Sequence, residues 1–299
     1  MKLINFIPEP ALQSLISNFG MMCADFEAAN IITSYQFPWS AQIRLNFTIE
    51  GHPLQIQKQG MEELIPLAPC SLIGPQLGGN TIYFDSKCII VCICFYPGAF
   101  HRLTGFPVSD LVNQDLDAGS LFGKGILHVQ RKLQETRDFA TVKRIIEDFF
   151  LKRLQQVSAS IQPFDLALAD WMNNNGLFSI TKVAAHSCQS IKQFERSCNQ
   201  RLGINPKLFA RLIRFSKAFA MAEQPTGQGW AGIAQDCGYY DQMHLIHDFK
   251  EFSGTTPGVV SKQILNSIKL IHLLETDPDA HTYDETDEGV GIPNVRYKK

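Results

Sequence analysis

Between Ile43 and Ile49 the side chains alternate apolar and polar with period two, and the alternation stops at Glu50-Gly51. Successive residues of a strand point to opposite faces, so this run predicts a half-buried strand. Leu64–Ile73 and Thr81–Phe84 are less regular strand candidates, divided by the turn formers Gly74-Pro75 and Gly78-Gly79-Asn80. Cys88–Tyr96 is apolar throughout and predicts a strand covered on both faces, ended by Pro97-Gly98. After that the period changes. Phe139, Val142, Ile145, Ile146, Phe149, Phe150 and Leu154 form one helical stripe, with Lys143, Arg144, Glu147 and Lys152 outside it. Gln155–Pro163 is polar and rich in small residues, and the pattern from Asp165 to about Ile271 is helical. The pattern therefore predicts an α+β chain. A β-rich, small barrel-like domain with helices covers 1–155 and a linker 156–164. An all-α domain covers 165–262, and an extension over 263–299 ends in an acidic, aperiodic tail expected to be disordered.

Within the helical part, two segments repeat one plan. Val183–Pro206 and Ile233–Pro257 each open on a short helix, Val183-Ala184 or Ile233-Ala234. A turn follows at Cys188-Gln189 or Gly238-Tyr239-Tyr240, and then an N-cap, Ser190 or Asp241, whose oxygen can accept from the free amides of a new helix. That helix carries a core residue and another four positions on, Phe194 and Cys198 or Leu245 and Phe249. Each segment closes on Gly-x-x-Pro, at Gly203–Pro206 and Gly254–Pro257. There a glycine stops one helix and a proline can start the next. Two helix-turn-helix units are the reading.

Charge sharpens this picture. The net charge of −2 averages unlike parts. Over 182–217, Lys182, Lys192, Arg196, Arg201, Lys207, Arg211, Arg214 and Lys217 face the single acid Glu195. A local basic run inside a neutral chain is the electrostatic footprint of a nucleic-acid partner. From Ala218 to Gly258 the balance reverses, with Lys250 alone against five acids. The second unit is expected to hold phosphate poorly.

The string DQMHLIHDFKEFSGTTP, Asp241–Pro257, resembles the second helix-turn-helix unit of AraC/XylS-type transcription regulators. RLGINPKLFARLIRF, Arg201–Phe215, resembles the end of their first unit and the long connecting helix. The match is collinear over about a hundred residues and includes the duplication. Ser71–Gln76, Phe95–Gly98 and Leu103–Pro107 resemble, more loosely, a sensor domain joined to this module in many bacterial regulators. Phe37-Pro38-Trp39-Ser40 departs from the Pro-Asp-Gly type of turn expected there.

The resemblance implies two recognition helices in successive major-groove segments, with base-reading positions at Lys192, Glu195 and Arg196. Ser190, Lys192, Glu195, Arg196 and Asn199 are the candidate DNA-contacting residues of the first unit. Gln242, Met243, Ile246 and His247 are those of the second. Arginine or lysine suits guanine O6 and N7, glutamate accepts from cytosine N4, glutamine suits adenine, and apolar tips suit the thymine methyl. On the opposite face of the first helix Ile191, Phe194 and Cys198 are expected to pack inward. Cys188 stands where the family has a turn glycine, so the first unit is expected to be slightly strained. Lys207, Arg211 and Arg214 read as a solvated flank of the connecting helix.

Other classes fit less well. The eight cysteines include no Cys-x-x-Cys pair, and Cys88, Cys92 and Cys94 would share one strand face as reduced core thiols. A metal-dependent small-barrel enzyme fused to a DNA-binding module is the main alternative, but His52, His101 and His128 are scattered. His244 and His247 lack a third ligand in sequence. A methyl-accepting repair protein would need a clustered zinc-binding cysteine set, and a hydrolase a Gly-x-Ser-x-Gly elbow. A third alternative is a first half that only mediates dimerisation, with Phe139–Leu154 as its interface. Pro8, Glu9 and Pro10 break the first apolar stretch, and the prolines of Leu64–Phe84 break the longest uncharged run, so neither signal peptide nor membrane span is expected. The expectation is a cytoplasmic, non-enzymatic activator or repressor with no metal or cofactor. Its expected partners are double-stranded DNA, a small-molecule effector, a second copy and RNA polymerase.

Overall fold

A computed structural model describes residues 2–29, 33–157, 160–223, 229–257 and 282–283. Its N-terminal half is built on two sheets. The larger has the order β10-β7-β4-β9-β2-β1-β11. In chain order these strands are β1 (Lys2–Phe6), β2 (Ile16–Asp25), β4 (Arg44–Glu50), β7 (Cys70–Ile73), β9 (Lys87–Phe95), β10 (Asp115–Asp117) and β11 (Thr282–Tyr283). The smaller, β3-β8-β5-β6, comprises β3 (Ser34–Phe37), β5 (Gln55–Gln57), β6 (Ile65–Pro66) and β8 (Asn80–Tyr83). All pairings are antiparallel except β1 with β11. Helices α1 (Phe26–Ala29), α2 (Ala99–Thr104), α3 (Ala118–Phe122), α4 (Lys124–Gln134) and α5 (Phe139–Gln156) complete this half.

Register assigns the faces. Leu45 pairs with Ile93 and Leu72, and Phe47 with Val91 and Cys70. These side chains are buried with Phe100 and Leu103 of α2, Ile126 and Leu133 of α4, and Val142, Ile146 and Phe150 of α5. Three residues of the α5 stripe are thus spent inside the fold, while Phe139, Ile145, Phe149 and Leu154 are half-buried against that core. On the opposite face, Met22, Ile73 and Ile90 pack with Tyr35, Ile56 and Ile82 of the smaller sheet. Here the expected half-wetted strand needs correction. Arg44, Asn46 and Thr48 of β4 lie on this second face and are buried, as is Ser71 opposite Asn46. The smaller sheet covers what alternation alone assigns to water. Cys88, Cys92 and Cys94 share this face and are buried free thiols.

The C-terminal half is helical: α6 (Pro163–Asn173), α7 (Ile180–His186), α8 (Ile191–Leu202), α9 (Pro206–Glu223), α10 (Trp230–Asp236) and α11 (Gln242–Ser253). Its core holds Trp171, Phe194, Phe209, Phe215, Phe219, Phe249 and Phe252. Fully burying one such ring is worth about 2–3 kcal/mol.

This core is continuous with the one under the smaller sheet. The Trp39 ring lies 5.3 Å from that of Phe252, and the Trp39 N–H donates to the Phe252 carbonyl at 2.8 Å. Arg102 of α2 reaches Asp165 of α6, Nη1 to Oδ2 3.3 Å, with the two side chains 4% and 9% exposed. Gly203 lies so close to the loop after α2 that a Cβ there would stand 2.6 Å from Val112.

Most of 263–299 lies outside the described residues, so the expectation of a disordered tail falls largely there. Thr282–Tyr283 correct it locally, as they pair with Asn5 and Phe6. Two residues are too short a run to leave a periodic signal. Among the described residues, no helix is long and apolar enough to cross a membrane.

Candidate nucleic-acid interface

Each unit folds as its sequence dictates. In the first, Ser179 caps α7 and accepts from the Lys182 N–H. The chain then turns at Cys188, which is exposed and takes φ +56°, and Gly238 takes φ +74° in the matching turn of the second unit. The left-handed conformation expected at Cys188 is present. Ser190 starts α8 with a reciprocal cap: its Oγ accepts from the Gln193 N–H, and Gln193 Oε1 accepts from the Ser190 N–H at 2.9 Å. Asp241 starts α11, its Oδ1 accepting from the His244 N–H at 2.9 Å. Gly203 and Gly254, at φ +75° and +72°, end the two helices.

These caps and turns fix what each helix offers outward. Phe194, Cys198 and Leu202 of α8 are buried, while Lys192, Glu195, Arg196 and Asn199 are exposed together on the other side. Burial raises the Cys198 thiol to about 12, with a smaller push from Glu195, so it is an inert core group. Ile191 departs from its expected inward packing and is 45% exposed. As the first helical residue it precedes the turn that seats Phe194.

In α11, Leu245, Phe249 and Phe252 are buried. Gln242, Met243 and His247 are exposed and Ile246 is half-buried beside them. The structure adds a residue that sequence reasoning missed. Tyr240, in the turn before α11, is 91% exposed, and its ring stands edge-on to His244 at 5.8 Å. Its sequence signal was an aromatic at a turn position, where no core needs one.

The connecting helix α9 requires another correction. Arg211 is not on a solvated flank. Its Nη2 donates to Asp248 Oδ1 at 2.6 Å and also to Glu251, and the guanidinium lies over the Phe252 ring. Arg214 lies over the Tyr239 ring, whose hydroxyl is held protonated well above the usual range by burial and by Asp248. Two cations of the basic run are thus spent within the domain, Arg211 on α11 and Arg214 on the turn before it. His247, Asp248 and Glu251 bring ligand atoms within 4.8 Å of one another, the spacing of a metal site. Arg211 already occupies both carboxylates, so these residues do not fit a cation while it is there.

Where α9 meets the β-rich half, Tyr35, Phe37, Pro38, Trp39, Ser40, Arg44, Phe215 and Ser216 line a narrow cavity of about 20 Å³, room for a single water. Arg44 sits over Phe37, 3.7 Å from ring centroid to guanidinium carbon.

A chain with two capped helix-turn-helix units, joined by one long helix and each turning a polar helix face outward, carries a DNA-binding module. Residues 183–263 match a family described as a helix-turn-helix domain. No curated protein matches the chain. Among solved structures, ToxT from Vibrio cholerae is similar at 11% identity and TM-score 0.44, over 84% of this chain and 96% of that one. A regulator with an AraC-type DNA-binding domain from Chromobacterium violaceum is similar at 20% identity and TM-score 0.30, over 34% of this chain and 88% of that one. The DNA-binding domain of AdpA, solved with a target DNA, is similar at 17% identity and TM-score 0.32, over 38% and 98%.

Proposed function

We propose that the protein is a cytoplasmic, sequence-specific transcription regulator that binds without turnover and reads the major groove with α8 and α11. The observation that carries this is the outward polar face of α8. Lys192, Glu195, Arg196 and Asn199 are exposed at i, i+3, i+4 and i+7 on a helix rigidly capped by Ser190. Arg196 is the chief base reader, because its planar fork suits guanine. On α11, Gln242, Met243, Ile246 and His247 make the second set of contacts, weaker in phosphate.

Effector control belongs to the β-rich half. Asn46, Ser71 and Arg44 form a buried polar patch between the two sheets, and Arg44 also reaches the cavity against α9. Apolar walls with a few convergent polar groups suit a small organic molecule, which would have to widen a space that admits one water. A ligand held by Arg44 there would press directly on Phe215 of α9. A second copy of the chain and RNA polymerase are the protein's further partners in this reading.

The test begins by selecting genomic fragments with the full chain and titrating one against scrambled DNA at fixed salt and neutral pH. Arg196→Ala is expected to cost about 1–3 kcal/mol on the selected fragment and much less on scrambled DNA. His247→Ala is expected to cost clearly less. Equal losses on both DNAs would make Arg196 a phosphate anchor, and no selected fragment would remove the reading.

A further inference from the structure

The second unit carries an excess of acid around its recognition helix, and histidines stand among those acids. His244, 64% exposed at the side chain, holds Nδ1 2.8 Å from Asp241 Oδ1. His247, 73% exposed, holds Nδ1 3.6 Å from Glu251 Oε2 and 3.8 Å from Asp248 Oδ1. We propose that His244 and His247 make this unit a proton-dependent DNA-binding surface, which gains affinity for backbone phosphate as the two imidazoles become charged. The inference rests on the DNA-binding reading above.

The charged surroundings can be named from every packed element. Helix α9 contributes Arg211, bonded to Asp248 and Glu251; Arg214, over the Tyr239 ring; and Lys217, whose Nζ donates to the Asp236 carbonyl. Asp236 ends α10, Tyr239, Tyr240 and Asp241 form the turn, and Lys250 is the basic residue of α11 itself. The loop at Trp39 that packs on Phe252 is apolar at its contact. Around the two imidazoles, Asp241, Asp248 and Glu251 oppose Arg211, which leaves two net negative charges. Two imidazolium groups cancel them. The exposed rings then offer charged N–H donors, His247 one turn on from Met243 and His244 one turn before His247, where neutral rings offer no charge.

The first unit needs no such change, because Lys192 and Arg196 are charged throughout. The two units should therefore respond differently to pH. At mildly basic pH the first unit carries the binding, and at mildly acidic pH both do.

The experiment titrates the full chain with a random-sequence duplex at about pH 8 and about pH 6, the interval that brackets an ordinary imidazole. At each pH the salt dependence is measured. Wild type is expected to bind about 10-fold or more tightly at the lower pH, with a salt slope steeper by about 1–2, since each neutralised phosphate adds about 0.9. His244→Gln/His247→Gln, shown to be folded by a thermal midpoint level with that of wild type, is expected to lose most of the gain between the two pH values. His186→Gln, which removes the imidazole beside Asp170 on α7, is expected to keep it. A wild-type salt slope that does not change with pH, or a gain that survives in the double variant, overturns the proposal and leaves the DNA-binding reading standing. Absence of DNA binding at both pH values overturns both.

Discussion

Arg102→Met is expected to destabilise the full chain by about 3 kcal/mol, because it strips a buried carboxylate of its counter-charge. Removing one partner of a buried pair costs about 3–5 kcal/mol. Two features place this pair at the low end. The contact is single and long, 3.3 Å from Nη1 to Oδ2, and Asp165 Oδ2 keeps the Gln162 N–H at 2.8 Å after the change. Arg102 Nε and Asp165 Oδ1 are buried without a hydrogen-bond partner, so the pair does not fully repay its desolvation. Asp165→Asn, which leaves Arg102 its bond to the Ser14 carbonyl, is expected to cost about 2 kcal/mol. In Arg102→Met/Asp165→Asn neither charge is stranded, and the total should also be about 2 kcal/mol, a coupling of about 3 kcal/mol. Urea unfolding followed by tryptophan fluorescence measures all four proteins, because Trp171 is fully buried in the helix whose first turn holds Asp165. A coupling below about 0.5 kcal/mol would refute the claim that this pair joins the halves as a unit.

Cys188→Gly is expected to raise stability by about 0.5–1 kcal/mol, since it relieves a left-handed non-glycine residue at some cost in unfolded-chain entropy. A melting temperature that stays level or falls in calorimetry would show that the turn is unstrained. Asp138→Ala should cost about 1 kcal/mol at neutral pH, because Asp138 Oδ2 accepts from the Thr141 N–H at the start of α5. The bond to Thr141 holds that carboxyl below its ordinary value, so its contribution is complete above the unfolded value near ~3.9 and fades as pH falls through the lower, folded one. Urea titrations of variant and wild type should converge at that acid limit, and a constant difference would contradict the cap.

The DNA-binding half was legible because its signals are local. Ser190, Asp241, Gly203 and Gly254 each act within four residues of themselves, and their caps and left-handed turns followed directly. The exposure of Lys192 and Arg196 followed from helical period alone. Arg211 was misread because its partners lie 37 and 40 residues away, on a helix whose approach no periodicity encodes. Arg44, Asn46 and Thr48 were misread for the same physical reason. Period two separates the faces of a strand, but it does not say whether a second sheet covers the polar one. Tyr240 was passed over because its significance is an exposure, and exposure is a property of the folded chain.

The junction between halves has a consequence for what counts as a part of this molecule. A short stretch of chain links α5 to α6, yet the side chains of the two halves are joined elsewhere, through Trp39 on Phe252 and the common core beneath Tyr35 and Phe37. The smaller sheet therefore belongs mechanically with the helices that follow it as much as with the strands beside it in sequence. A peptide bond severed near residue 160 would interrupt the chain without parting that core. The two fragments would remain associated, and pressure on Arg44 between the sheets could still be felt at α9 without passing along the backbone at all.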